Sequence, residues 1–131
     1  MTIDEARGLF DRRRRAWLAA DLDAYLACFA EDLVFASPVH DPPLVGRPAF
    51  EALVRRSHAA LEPRRFDVHA LAVDGDDVLA EWTIEGRARG GDGVVRWRGM
   101  SVARYRDGRI ATWREYWNPA DVGLAAPVAR P

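Results

Sequence analysis

The sequence predicts an α+β fold in which three helices precede an antiparallel sheet laid out as a meander. Three observations carry that expectation. Apolar residues recur at three- and four-residue spacing up to about residue 61, and at two-residue spacing from about residue 65 onward. DGDD (74–77), RGGDG (89–93) and RDGR (106–109) punctuate the second half as turns. No repeat and no linker divides the chain, so the helices are expected to cover one face of the sheet. A chain of 131 residues then reads as a single domain over 1–131, with its body over about 5–119 and an irregular Pro- and Ala-rich tail over 120–131.

The elements follow in order. Residues 3–19 read as a helix whose stripe is Leu9, Phe10, Arg13, Ala16 and Trp17, and Thr2 followed by Glu5 is a capping-box pattern. DLDAYLACFA, 21–30, reads as a second helix capped by Asp21. LVFAS, 33–37, is a short strand, and PVHDPPLVGRP, 38–48, is a loop rich in Pro and Gly. PAFEALVRRSHAAL, 48–61, is a third helix with Pro48 near its start. The strands of the meander are RFDVHALAV (65–73), VLAEWTIEGRA (78–88), VVRWRGMSVARYR (94–106) and IATWREYW (110–117).

Composition narrows the chemistry. The formal net charge of -1 argues against nucleic acid as a partner, with RRRR at 12–15 as a local exception. All 19 basic residues are Arg, so Schiff-base chemistry, a lysine base and a P-loop are excluded. There is no Gln, Asn118 is the single Asn, and Ser, Thr and His occur three times each, which keeps the list of catalytic candidates short. Cys28 has no partner for an intrachain disulfide and reads as a small buried thiol. No cluster of His, Cys and carboxylates has metal-ligand spacing, so no metal is expected. The N-terminus lacks an apolar signal core, and no run approaches about 18 apolar residues. A soluble cytoplasmic protein without a membrane partner is the expectation.

Alternation assigns the faces of the strands. Val78, Ala80, Trp82 and Ile84 form the apolar side of one strand, and Trp97, Gly99, Ser101, Ala103 and Tyr105 that of the next. Arg96, Arg98, Arg104 and Arg106 fall on the opposite side, where acids such as Glu81 and Glu85 on the neighbouring strand are needed to offset their repulsion. In the last strand the apolar side holds Ala111, Trp113, Glu115 and Trp117. A carboxylate between two indoles therefore points at the core.

The order of elements, with ADLDAYLACFAEDLVFASP, LVGRPAFEALV and RYRDGRIATWREYWNP, resembles the nuclear transport factor 2-like superfamily, and within it the SnoaL-like polyketide cyclase group. The resemblance implies a cone of curved antiparallel sheet wrapped around a deep pocket under three N-terminal helices. It also implies a homodimer through the outer sheet face. Its members include isomerases, cyclases, dehydratases, epoxide hydrolases and non-catalytic binders, so the fold alone does not assign a reaction. FAEDLVFASPV is similar to ketosteroid isomerase, whose general-base aspartate falls on Ser37, second aspartate on Ser101 and oxyanion tyrosine on Arg13 or Arg14; none of the three is kept. The last strand resembles limonene epoxide hydrolase, whose catalytic aspartate matches Glu115, while its partner arginine and second aspartate fall near Trp82 and Ile84. REYWNP is similar to the ending of the phenazine-biosynthesis A/B proteins, where a catalytic glutamate matches Glu115.

Glu115 is thus the leading catalytic candidate: desolvation beside Trp113 and Trp117 raises a carboxyl pKa into the range useful for acid–base work. A structural salt bridge to an inward Arg of the first helix is its bland alternative. His40 and Asp41 are further catalytic candidates at the expected pocket mouth, with turn structure as the alternative for Asp41 before Pro42. Arg13 and Trp17, on the inward stripe of the first helix, are candidate substrate-binding residues, Arg13 as an anion-binding or electrophilic group. Ser37, Ser101 and Tyr105 are candidates for hydrogen bonds to substrate, and Trp82, Trp97, Trp113 and Trp117 for an aromatic wall. His58 and His69 read as surface or structural residues. GMSVA (99–103) lies inside a strand and lacks the strand–turn–helix setting of a nucleophile elbow. The expectation is a cofactor-independent enzyme acting on a small hydrophobic molecule. The alternatives are a non-catalytic binder of the same shape and a protein–protein module using the outward arginines.

Overall fold

A computed structural model describes residues 1–123. Helix α1 spans Ile3–Leu18, α2 spans Leu22–Leu26 and α3 spans Arg47–Ala60. The strands are β1 (Phe29–Ser37), β2 (His40–Val45), β3 (Leu61–Asp74), β4 (Asp77–Ala88), β5 (Val94–Arg106) and β6 (Arg109–Trp117), and a 3₁₀ turn covers Pro119–Val122. The helix starts follow their capping residues. Thr2 Oγ1 accepts from the Glu5 amide at 3.1 Å, and Asp21 Oδ1 accepts from the Ala24 amide at 3.2 Å.

The six strands form one open, curved sheet in the order β2-β1-β6-β5-β4-β3. β1 pairs antiparallel with β2, and β3 to β6 pair antiparallel in sequence as the meander requires, but β1 and β6 run parallel. The sheet is therefore mixed, which corrects the expectation of a wholly antiparallel one. The cause is connectivity. The hairpin β1–β2 ends at one sheet edge, α3 carries the chain to the opposite edge, and three reversals from β3 then bring β6 back beside β1 in the same direction. A helix that links the two edges must lie across one face, and that face becomes the floor of a cavity.

Several boundaries differ from the sequence reading. The second helix stops at Leu26, because Phe29 pairs with Ile110 and belongs to β1; strand pairing overrides a helical pattern of this length. The Pro-rich segment contains β2, paired through Ser37↔His40 and Phe35↔Leu44. Pro42 and Pro43 are tolerated there because β2 is an edge strand with no partner on its outer side. Leu61 opens β3 rather than closing α3. Of the tail expected to be irregular, Pro119–Val122 forms the 3₁₀ turn, and residues 124–131 lie outside the described residues.

The faces match the alternation. Val78, Ala80, Trp82 and Ile84 are buried, as are Ser101, Ala103, Tyr105 and Trp113. Ile110 joins them: the register shifts between Arg104 and Tyr105, so Ile110 pairs with Tyr105 and Ala111 becomes the extra residue of a bulge. On the outer face Arg96 meets Glu85, Arg104 meets Asp77 and Arg106 meets Asp32. Exposed pairs of this kind contribute little to stability but remove the cross-strand repulsion.

Gly99 is where two strands and a large ring crowd together. A Cβ placed on it would stand 2.5 Å from the Tyr116 carbonyl oxygen and 2.8 Å from Cη2 of Trp82. The carbonyl belongs to the paired backbone and cannot turn away. Gly99→Ala is therefore expected to destabilise the fold by about 1–3 kcal/mol in urea unfolding; an unchanged midpoint would contradict this packing.

Candidate active site

The concave side of the sheet and the three helices enclose a cavity of about 270 Å³. Its walls are aromatic. Phe35, Phe50 and Trp113 pack ring to ring, with Phe35 and Trp113 paired across the parallel β1–β6 ladder and their centroids 5.1 Å apart, and Phe29 backs them without lining the cavity. Trp17 and Phe66 meet edge to face at 5.8 Å on the other side.

Glu115 sits in this wall because β6 turns every second residue inward. Its carboxylate Oε1 accepts one hydrogen bond, from Trp117 Nε1 at 3.3 Å. Burial pushes its pKa up to about 7, against the opposing effects of the Arg13 charge and the Trp117 hydrogen bond. The carboxyl is thus poised to give or take a proton near neutrality.

Arg13 enters from α1. Ala6, Phe10, Arg13 and Ala16 are the buried residues of that helix, so the four-arginine run offers one inward member. Arg12 and Arg15 face outward, while Arg14 pairs with Asp11 and donates to the Phe66 carbonyl. The Arg13 guanidinium lies 4.5 Å from the Phe10 ring centroid and 4.8 Å from that of Trp113. It is 2% exposed, its Nε–H has no hydrogen-bond partner, and no ion pair among the described residues involves it. Tyr25 and Tyr105 stand beside it. Burial raises both phenol pKa values, and the Arg13 charge and side-chain hydrogen bonding to its guanidinium work against that rise, while Arg13 Nε stays without a partner.

At the mouth, Ser37 Oγ and His40 Nδ1 are 2.8 Å apart, and Ser37 Oγ also accepts from the Val39 amide. Burial, followed by the charge of Arg56, lowers the His40 pKa, which favours the neutral ring. Ser37 and His40 share one hydrogen bond whose direction follows the imidazole tautomer.

The cavity brings together Glu115, His40, Arg13, Trp17, Ser37, Trp97, Trp113 and Trp117 among the residues singled out from the sequence. The others stand apart from it. Asp41 is exposed on β2. Trp82 and Ser101 are each 1% exposed and bond each other, Trp82 Nε1 donating to Ser101 Oγ at 3.2 Å, behind the wall. Tyr105 is buried beside Arg13 and does not line the cavity. Tyr25, Phe35, Phe50 and His58 line the cavity without having been singled out for it. Phe35 shares the inward parity of Ser37. His58 lies four and eight residues from Val54 and Phe50, the buried stripe of α3, so its helical spacing carried a signal for burial. Its ring nitrogens face the main-chain carbonyls of Val54 and Trp17 at 3.3 and 3.4 Å.

Glu115 makes stability depend on pH. Between the ordinary value of 4.5 and about 7, the folded protein keeps a proton that the unfolded chain has released. This contribution is complete below the unfolded value and is lost as pH rises through the folded one. Unfolding free energy should therefore fall by up to about 3 kcal/mol from pH 4.5 to 8, relative to Glu115→Gln measured in parallel. Parallel curves for the two proteins would show that the carboxyl is solvated.

The chain is similar to several solved structures. A protein of Bacillus subtilis described as a provisional isomerase superposes with a TM-score of 0.82 at 23% identity, over 93% of each chain, and so shows the fold alone. An M. tuberculosis LEH-like epoxide hydrolase is 27% identical, with a TM-score of 0.76 over 92% of this chain and 87% of the other. A Xanthomonas campestris protein provisionally described as a polyketide cyclase is 26% identical, with a TM-score of 0.74 over 92% and 96%. No curated protein matches the chain. The SnoaL-like domain family matches residues 10–113, and with the open curved sheet and its helical cover this places the chain in that family, within the nuclear transport factor 2-like fold.

Proposed function

We propose that the protein is a cytoplasmic, cofactor-independent enzyme in which Glu115 is the general acid–base of an aromatic cavity. The observation that carries the reading is a carboxyl held among rings by one indole hydrogen bond, with its pKa pushed up to about 7. One such group can remove a proton from carbon and return it elsewhere, which is the core of isomerisation, cyclisation and dehydration. It can also protonate an opening epoxide. The walls favour a hydrophobic substrate, and the His40–Ser37 pair at the mouth is suited to orienting its polar end. Two of the similar proteins are described as an epoxide hydrolase and, provisionally, a polyketide cyclase, which is compatible with the reading and does not choose among the reactions. A non-catalytic binder would be favoured by a Glu115–Arg13 ion pair, and the described ion pairs do not include one. The outer sheet face, where Met100 and Tyr116 stand exposed as a cross-strand pair, is the proposed surface for a homodimer.

Two variants test the role. In a screen of enolisable carbonyls and epoxides, Glu115→Gln should lower kcat on any turned-over substrate by at least about 100-fold; unchanged turnover would sink it. Trp117→Phe removes the donor that favours the ionised carboxyl. The inflection in the kcat/KM pH profile should then move to higher pH by up to about one unit. A profile that stays in place or moves down would assign the inflection to another group.

A further inference from the structure

Two buried polar atoms in the described structure have no hydrogen-bond partner, and both are donors: Arg13 Nε and Trp113 Nε1. Both residues line the cavity, and the guanidinium lies against the Trp113 ring. A buried donor without an acceptor is costly, and a buried cation without an anion is more so. The uncompensated charge of Arg13 is answered if the cavity's occupant brings a negative charge beside the guanidinium.

We propose that the cavity is built for an aromatic or similarly flat apolar monocarboxylate, seated on Arg13, whose binding is coupled to protonation of Glu115. This deepens the acid–base reading above by naming the class of molecule that the site takes. The guanidinium is planar and matches a carboxylate in shape, and the surrounding rings match an apolar body. One permanent cation calls for one negative charge. The charged and titratable groups around the site are Arg13 from α1, Tyr25 from α2, His40 from β2, His58 from α3 and Glu115 from β6, with Tyr105 of β5 and Cys28 behind Arg13 and the charge of Arg56 from α3 acting on His40 at the mouth. Tyr25 and Tyr105 are neutral phenols, and His40 is held towards its neutral form. His58 has both ring nitrogens turned to main-chain carbonyls. Glu115 is then the one group that competes with the ligand for Arg13. Ionised, it neutralises the site and repels the carboxylate; protonated, it leaves the cation free and can donate a hydrogen bond. Binding therefore takes up a proton, and affinity falls as pH rises through the value of the free protein.

The test is equilibrium binding to the intact protein, by calorimetry in two buffers of different ionisation enthalpy. The probes are benzoate and 2-naphthoate, with their primary amides as neutral controls. At pH 6 the better carboxylate should bind at least about tenfold more tightly than its amide. Its affinity should fall at least about tenfold by pH 8.5, with proton uptake appearing at the higher pH. Glu115→Gln should keep the preference for carboxylate and lose the pH dependence. Arg13→Met, of similar length and apolar, should fold and erase the preference. Amides that bind as well as the acids, or no measurable binding of either, would overturn the proposal, and both readings need only the unaltered protein. A carboxylate preference without pH dependence would overturn the coupling. Because the readout is binding, these failures are separate from that of the catalytic role, which rests on turnover by Glu115→Gln.

Discussion

A carboxyl and a guanidinium share one aromatic cavity without pairing, and the rest of the structure is arranged around that fact. Were the two to meet in an ion pair, each would be satisfied and the carboxyl pKa would fall. Held apart, Glu115 keeps a pKa near neutrality and Arg13 keeps an unused donor. Neither arrangement is stable by itself in an apolar environment. It persists because packing elsewhere leaves both side chains no better place. Arg13 is wedged against Phe10 and Trp113, and Glu115 is fixed by β6 between two indoles.

The fold supplies that packing through its connectivity. Parallel pairing of β1 with β6 sets Phe35 beside Trp113, and α3, which must travel from one sheet edge to the other, adds Phe50 from above. Trp113 thereby touches rings from two elements, β1 and α3, and also carries the guanidinium from α1. At the far side Gly99 lets the Trp82 ring and the β6 backbone approach, so Trp82 and Ser101 can satisfy each other behind the wall. Polar groups behind the wall are thus closed off, and those in front of it are left open.

Much of this was legible in the sequence, for reasons that can be assigned. The two-residue period of β4, β5 and β6 is long and regular, so the inward parity of Trp82, Ser101 and Glu115 followed from alternation. The stripe of α1 singled out Arg13 from its three basic neighbours. What was not legible depended on contacts distant in sequence. The parallel β1–β6 ladder joins residues some 78 positions apart, as in Phe35 with Trp113, and no local pattern records it. Phe29 carries a helical pattern and takes a strand conformation because Ile110 pairs with it. Ser101 has the inward parity of a site residue, yet its hydroxyl is taken by Trp82; parity assigns a face and not a partner. Asp41 sits next to His40 in sequence, but alternation along β2 separates their side chains, and only His40 lines the cavity.

The protonation state of one side chain underlies the proposed site, and it can be observed directly. A carbon NMR titration of the Glu115 carboxyl, assigned with Glu115→Gln, is expected to show an inflection near 7 in the ligand-free protein. An inflection in the ordinary glutamate range near 4.3 would mean that the carboxyl is hydrated or paired. That result would contradict the acid–base site at its foundation.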